Sequence, residues 1–276
     1  MKRTVLFVAL SISLLFYSFI SSPTEKGFSE IHYGDIDPIE TDEYRIAFSD
    51  MHSQATFALV RAEFTNKTDD FLFIELSKVS YTLPDGSKIQ PVAKKVKINP
   101  NATKKISIKA PGSAGLPAEN LEVEIGGITQ LPVNGEVENL EDYPLPDTKK
   151  KITSNNVSIA LNTLKKETKV TEAKFKVQNT GDTPILVNNS LITVTCEGND
   201  KVWPCEAKSS AYKILWPGKS MNLKATFKIP GKIVDMQFAN MSIHWNKALV
   251  SSSEKDLKGG AISLKMDLGK TEGMNK

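Results

Sequence analysis

Apolar and polar residues alternate with period two in two stretches of the chain that lie 113 residues apart. Val60, Ala62 and Phe64 alternate with Arg61, Glu63 and Thr65; Ala173, Phe175 and Val177 alternate with Lys174, Lys176 and Gln178. Successive side chains of an extended chain point to opposite faces, so each stretch predicts a strand with one face on a core and one in water. Both strands run into polar turns, residues 66–70 and 179–183, where Asn and Asp side chains can bond their own backbone. Val79, Tyr81 and Leu83, and likewise Ile192, Val194 and Cys196, precede the hairpin signals Pro84-Asp85-Gly86 and Glu197-Gly198-Asn199. Further on, Ile106 and Ile108 lead to Pro111-Gly112, as Leu223, Ala225 and Phe227 lead to Pro230-Gly231. A last strand is expected at Leu121, Val123 and Ile125, and at Val234, Met236 and Phe238. No long segment carries apolar residues at helical spacing, so the fold class is all-β.

The parallel between these stretches is a duplication. Residues 43–91 superpose on 156–204 without a gap, matching Ile46 with Ile159, Asn66 with Asn179, Ser77 with Ser190, Thr82 with Thr195 and Pro91 with Pro204. Sheets with one polar face stack in pairs to bury the other. Two tandem immunoglobulin-like β-sandwiches are therefore expected, at residues 43–132 and 156–250. The acid-rich residues 23–42 read as a spacer, and 133–155, with Pro144, Pro146 and clustered charges, as a linker. Because that linker holds little that could form a shared core, each sandwich is expected to fold alone. In the tail, 251–276, the alternation Ile262, Leu264, Met266, Leu268 predicts a terminal strand over 261–268 that adds to a sheet edge.

Lys2 and Arg3 precede an apolar run at residues 4–20, the pattern of an export signal. Residues 1–22 are a signal peptide or an uncleaved membrane anchor: the positions around Ser21 and Ser22 suit a signal peptidase poorly, and the run just reaches spanning length. Removing them leaves 33 basic against 32 acidic residues, a balance that gives no case for nucleic acid. Lys94, Lys95 and Lys97, and the lysines at 149–151, read as solvated edge or linker positions.

His32, His52 and His244 lie in no catalytic or zinc-binding motif, so no enzyme activity, metal or other cofactor is expected. Asp35, Asp37, Glu40 and Asp42 offer closely spaced oxygens but lack an EF-hand frame, and read as solvated. Trp203, Trp216 and Trp245 read as core or edge packing, with a carbohydrate or protein patch as the alternative. Cys196 and Cys205, separated by eight intervening residues across a hairpin, are expected to form a disulfide in the oxidising compartment that export implies. Leu83 and Val92 stand at the equivalent positions of the first copy.

A strand ending in Asn, a polar turn with Asp, a strand, a hairpin turn, then Pro, a strand and Pro-Gly: this order resembles telokin-like, immunoglobulin-like bacterial extracytoplasmic domains. The resemblance implies an envelope role and no named activity. The expectation is an exported cell-envelope binding or assembly module whose partner is a protein or another envelope component. A periplasmic assembly chaperone or structural subunit is the alternative, and an enzyme with an unrecognised carboxylate site a distant one.

Overall fold

The structure, a computed structural model, describes residues 27–146, 150–207, 209 and 211–276. The export segment 1–22 and Lys149 lie outside them, and no helix among the described residues is long and apolar enough to cross a membrane.

The fold is all-β and sandwich-like, with antiparallel sheets closing around two apolar clusters. Strand Phe57–Asn66 alternates buried and accessible residues as its sequence requires, and lies between Tyr44–Gln54 and Thr103–Pro111. Its counterpart Val170–Asn179 lies between Val157–Glu167 and Ser220–Lys228. The duplication holds in three dimensions and extends further than the sequence match. Ile39 pairs with Ile46 across a two-residue strand, and Ile152 pairs with Ile159 at the same offset of 113 residues.

Two repeated residues owe their identity to the backbone around them. Asn66 and Asn179 are almost fully buried. Asn66 Nδ2 donates to the carbonyls of Asp70 and Asn99 at 2.7 and 3.0 Å, and Asn179 Nδ2 to those of Thr183 and Leu215 at 2.8 and 2.9 Å. Each side-chain oxygen accepts the amide two residues on, so one side chain holds a whole turn together. Replacing Asn179 with Ala strands the buried Leu215 carbonyl, at about 1–3 kcal/mol, and the partly buried Thr183 carbonyl at less. A loss of about 2–4 kcal/mol is expected from urea unfolding, with an equal loss for Asn66→Ala. Gly112 and Gly231 also recur for a steric reason: a Cβ on Gly112 would stand 2.3 Å from the Ala55 carbonyl oxygen, and one on Gly231 2.8 Å from Thr168 Cγ2.

Segments outside the aligned copies are structural. The spacer contributes strands Glu30–His32 and Ile39–Glu40, and two of its carboxylates pair with lysines: Asp35 with Lys270 at 2.8 Å, Glu40 with Lys67 at 3.2 Å. The linker contributes Glu136–Val137, Tyr143–Leu145 and Lys151–Thr153, which complete the three sheets around the second cluster. In the first half the places of the first two are taken by the tail. Lys255–Asp256 pairs with Ile128–Leu131, and Gly260–Lys265 pairs over six residues with Asn120–Ile125, burying Ile262 and Leu264 in the first cluster. The terminal strand thus joins the half most distant in sequence. It ends at Lys265 because Asp267 caps a short helix, Leu268–Met274, by accepting the Lys270 amide at 3.0 Å.

Val234, Met236 and Phe238 form turns instead of a strand; the expected sheet position belongs to Met241–His244, where Ile243 faces Val194 as Val123 faces Tyr81. The two cysteines are free. Cys196 stands opposite Asn199, whereas the Cys205 amide bonds the Ile192 carbonyl. Four residues of extended strand, about 13 Å, separate those positions, beyond the roughly 7 Å between Cα atoms that a disulfide tolerates. Burial pushes both thiols up, as befits small core residues.

The two halves share a third apolar cluster. Strand Phe71–Glu75 is buried on both faces: Leu72 and Ile74 point into the first core, while Phe71 and Phe73 meet Leu131, Leu186 and Val250 in the seam between the halves. Val133 and Val137, from the segment read as a linker, pack against this cluster. Lys95 lies 4.8 Å from the Phe73 ring centroid and 5.2 Å from that of Trp216, and pairs with Glu254 at 2.6 Å. Its stem and charge seal the seam, which gives this lysine a structural role. Separating the halves would expose Phe71, Phe73, Leu186 and Val250 together.

Candidate functional site

Strand Glu30–His32 runs antiparallel to Tyr44–Gln54, with Glu30 opposite Gln54 and His32 opposite His52. Directly opposed residues share a sheet face, so four polar side chains collect on one side while Ile31 enters the core on the other. Glu30 Oε2 accepts from Gln54 Nε2 at 2.7 Å. Glu30 Oε1 lies 2.9 Å from His32 Nε2 and 3.8 Å from His52 Nε2, and the three donor atoms stand within 4.8 Å of one another. The imidazoles are stacked, with centroids 5.2 Å apart, and Phe57 meets His52 edge-on at 5.4 Å.

Asp50 supports this cluster from below. Its φ of 46° places it in the left-handed region, at the register shift between Ser49 and His52. Such a bulge re-aims side chains. Asp50 Oδ1 comes within 3.2 Å of His52 Nδ1, and Oδ2 within 2.9 Å of Arg61 Nε. Although these are ion-pair distances, His32 Nε2 and His52 Nδ1 are buried and make no hydrogen bond in an acceptable direction. Leaving a buried polar atom in that state costs about 1–3 kcal/mol. The helix Leu268–Met274 fixes the strand from outside: the His32 amide donates to Thr271 Oγ1 at 3.0 Å, and Asn275 Nδ2 to the Glu30 carbonyl at 2.8 Å.

His244 occupies a second constellation, in the other half. Its Nδ1 lies 2.9 Å from Asp142 Oδ1 and its Nε2 2.9 Å from Thr195 Oγ1. Thr195 also borders an open groove of about 630 Å³ between Pro144, Gly198, Asn199, Asn240 and Ser242. The tryptophans go mainly to packing. Trp245 is buried edge-on to Phe175 at 5.2 Å, Trp216 packs on the seam, and Lys201 lies over Trp203 at 4.2 Å.

Glu138, on the segment read as a linker, is a buried carboxylate. Burial would push it up, but hydrogen bonds from Ser154, Ser251 and Asn156 together outweigh that and hold it below the ordinary glutamate range. A depressed carboxylate contributes stability that is full above the unfolded-state value, about 4.3, and is lost as the pH falls through the folded-state value. Glu138→Gln is therefore expected to lower the urea midpoint at pH 7 and to flatten its decline on acidification. A variant with the wild-type acid slope contradicts this.

The sequence passes over the Glu30, His32 and His52 cluster because it becomes visible only once residues 30–32 are known to be a strand. Glu-x-His and His-x-Gln, each at period two, are the signal available in the residues. No protein-family model and no curated protein matches the chain. Among solved structures it is similar to procruciferin, an 11S globulin from Brassica napus, at 9% identity over 85% of this chain and 89% of that one, with a TM-score of 0.15, which carries no argument about its fold or role.

Proposed function

We propose that this protein is an exported cell-envelope module of two immunoglobulin-like sandwiches, retained by its N-terminal apolar segment, that binds or assembles other envelope components without catalysing a reaction. The observation that carries the reading is the docking of the tail on the first described strand. The tail returns to the first strand, where Ser29 Oγ donates to Asn275 Oδ1 at 2.8 Å. A chain retained through residues 4–20 would hold both apolar cores on one side of a single attachment segment. The resemblance to telokin-like domains agrees with this, since each half closes antiparallel sheets around one apolar core.

Catalysis is the second reading, favoured by Asp142, His244 and Thr195 beside the groove. Binding is preferred because the Asp142 side chain is 55% exposed, so water screens its hold on His244. Fractionation with mass spectrometry of the native N-terminus tests location. Detergent-dependent release together with protease access from outside supports the proposal. A cytosolic protein beginning at Met1 refutes it, and covalent labelling of Thr195 by a hydroxyl-directed phosphonate would favour catalysis.

A further inference from the structure

We propose that Glu30, His32 and His52 form a binding site for a first-row divalent cation of the zinc class, clamping the first strand to the sheet. Zinc ligands at about 2.0–2.1 Å stand roughly 3.4 Å apart in a tetrahedron. The separations of Glu30 Oε1 from His32 Nε2 and His52 Nε2, 2.9 and 3.8 Å, bracket that value. One carboxylate and two imidazoles are a donor set suited to zinc, and three protein ligands leave a fourth position for water.

The surroundings match a metal site as well as the donors do. Gln54 holds the Glu30 oxygen that faces away from the histidines, leaving Oε1 to the cation. Asp50, held by Arg61 at 2.9 Å, stands 3.2 Å behind His52 at Nδ1; once turned to accept that N–H it would orient the imidazole with Nε2 toward a metal. A cation would also engage His32 Nε2, which is buried without a hydrogen bond. Side-chain exposures of 13–24% leave the cluster reachable from solvent yet largely enclosed. Thr271 bonds the His32 backbone amide and carbonyl, so the docked tail holds the strand that carries two of the three ligands, and metal binding would stabilise that docking by mass action.

The test uses the full chain in detergent, without a polyhistidine tag and stripped with a chelator. Titration calorimetry with Zn(II) is expected to give one site per chain, and Co(II) a visible d–d band of tetrahedral intensity. Zn(II) should raise the melting temperature and slow amide exchange at 30–32 and 268–274. His52→Ala and Glu30→Gln should abolish all of these. Asp50→Asn, which alters a positioning residue, should keep one site and weaken it by about 10–100-fold. Circular dichroism of the metal-free variants establishes that they fold, with His32→Gln in reserve. Absence of Zn(II) binding overturns the proposal, as does binding that survives His52→Ala and Glu30→Gln or that is lost equally in His244→Ala.

Discussion

A chain ended after residue 253 is expected to lose its first half while keeping the second. The cut removes Lys255–Asp256, Gly260–Lys265 and the terminal helix, and with them a six-residue ladder along Asn120–Ile125. Ile262 and Leu264 contribute about 1.5–3 kcal/mol each by burial. The cut also takes away the Lys258 carbonyl that accepts the buried Tyr44 hydroxyl at 2.5 Å, and exposes one edge of the first core. These terms together are comparable with the roughly 5–15 kcal/mol that holds an ordinary domain folded. The second half keeps all its strands, since its equivalents of the lost ones are Glu136–Val137 and Tyr143–Leu145. Amide exchange should therefore become fast over Phe57–Asn66 and stay slow over Val170–Asn179. Slow exchange in both strands would show that the tail is dispensable. Placing residues 254–276 ahead of Gly27 through a flexible linker reproduces the strand order of the second half, and should restore protection.

Phe73→Ala is expected to uncouple the halves. Its ring is buried and packs edge-on to Trp216 with centroids 5.6 Å apart, at the centre of the seam. Truncating a buried aromatic costs about 3–5 kcal/mol, here taken largely from the contact between the halves. Calorimetry of the parent should show one transition, because each half covers the other's Phe71, Leu186 and Val250. The variant should show two, the Trp216 fluorescence changing with the earlier. A single transition at the parent's melting temperature would mean that the seam carries no coupling.

Alternation at period two was enough to place Phe57–Asn66, Val170–Asn179, Thr103–Pro111 and Ser220–Lys228, because a strand with one buried face writes that burial into its own residues. The same local rule misled at Val234, Met236 and Phe238, where apolar spacing came without sheet partners and Phe238 is exposed. Identical turn residues at an offset of 113 revealed the duplication, since Asn66 and Asn179 meet the same backbone need within a few residues of themselves. Pairings between distant segments lay beyond that reach. Short strands such as Ile39–Glu40 and Glu136–Val137 have too few residues to show a period, and they exist because a neighbouring edge offers them hydrogen bonds. Phe71 and Phe73 look like ordinary strand residues until the second half covers them. Hairpin register decided the cysteines, holding them several residues apart where sequence distance alone allowed a bridge. Registration of Glu30–His32 against Tyr44–Gln54 likewise gathered one carboxylate and two imidazoles from positions 22 residues apart, a juxtaposition that residue order alone could not express.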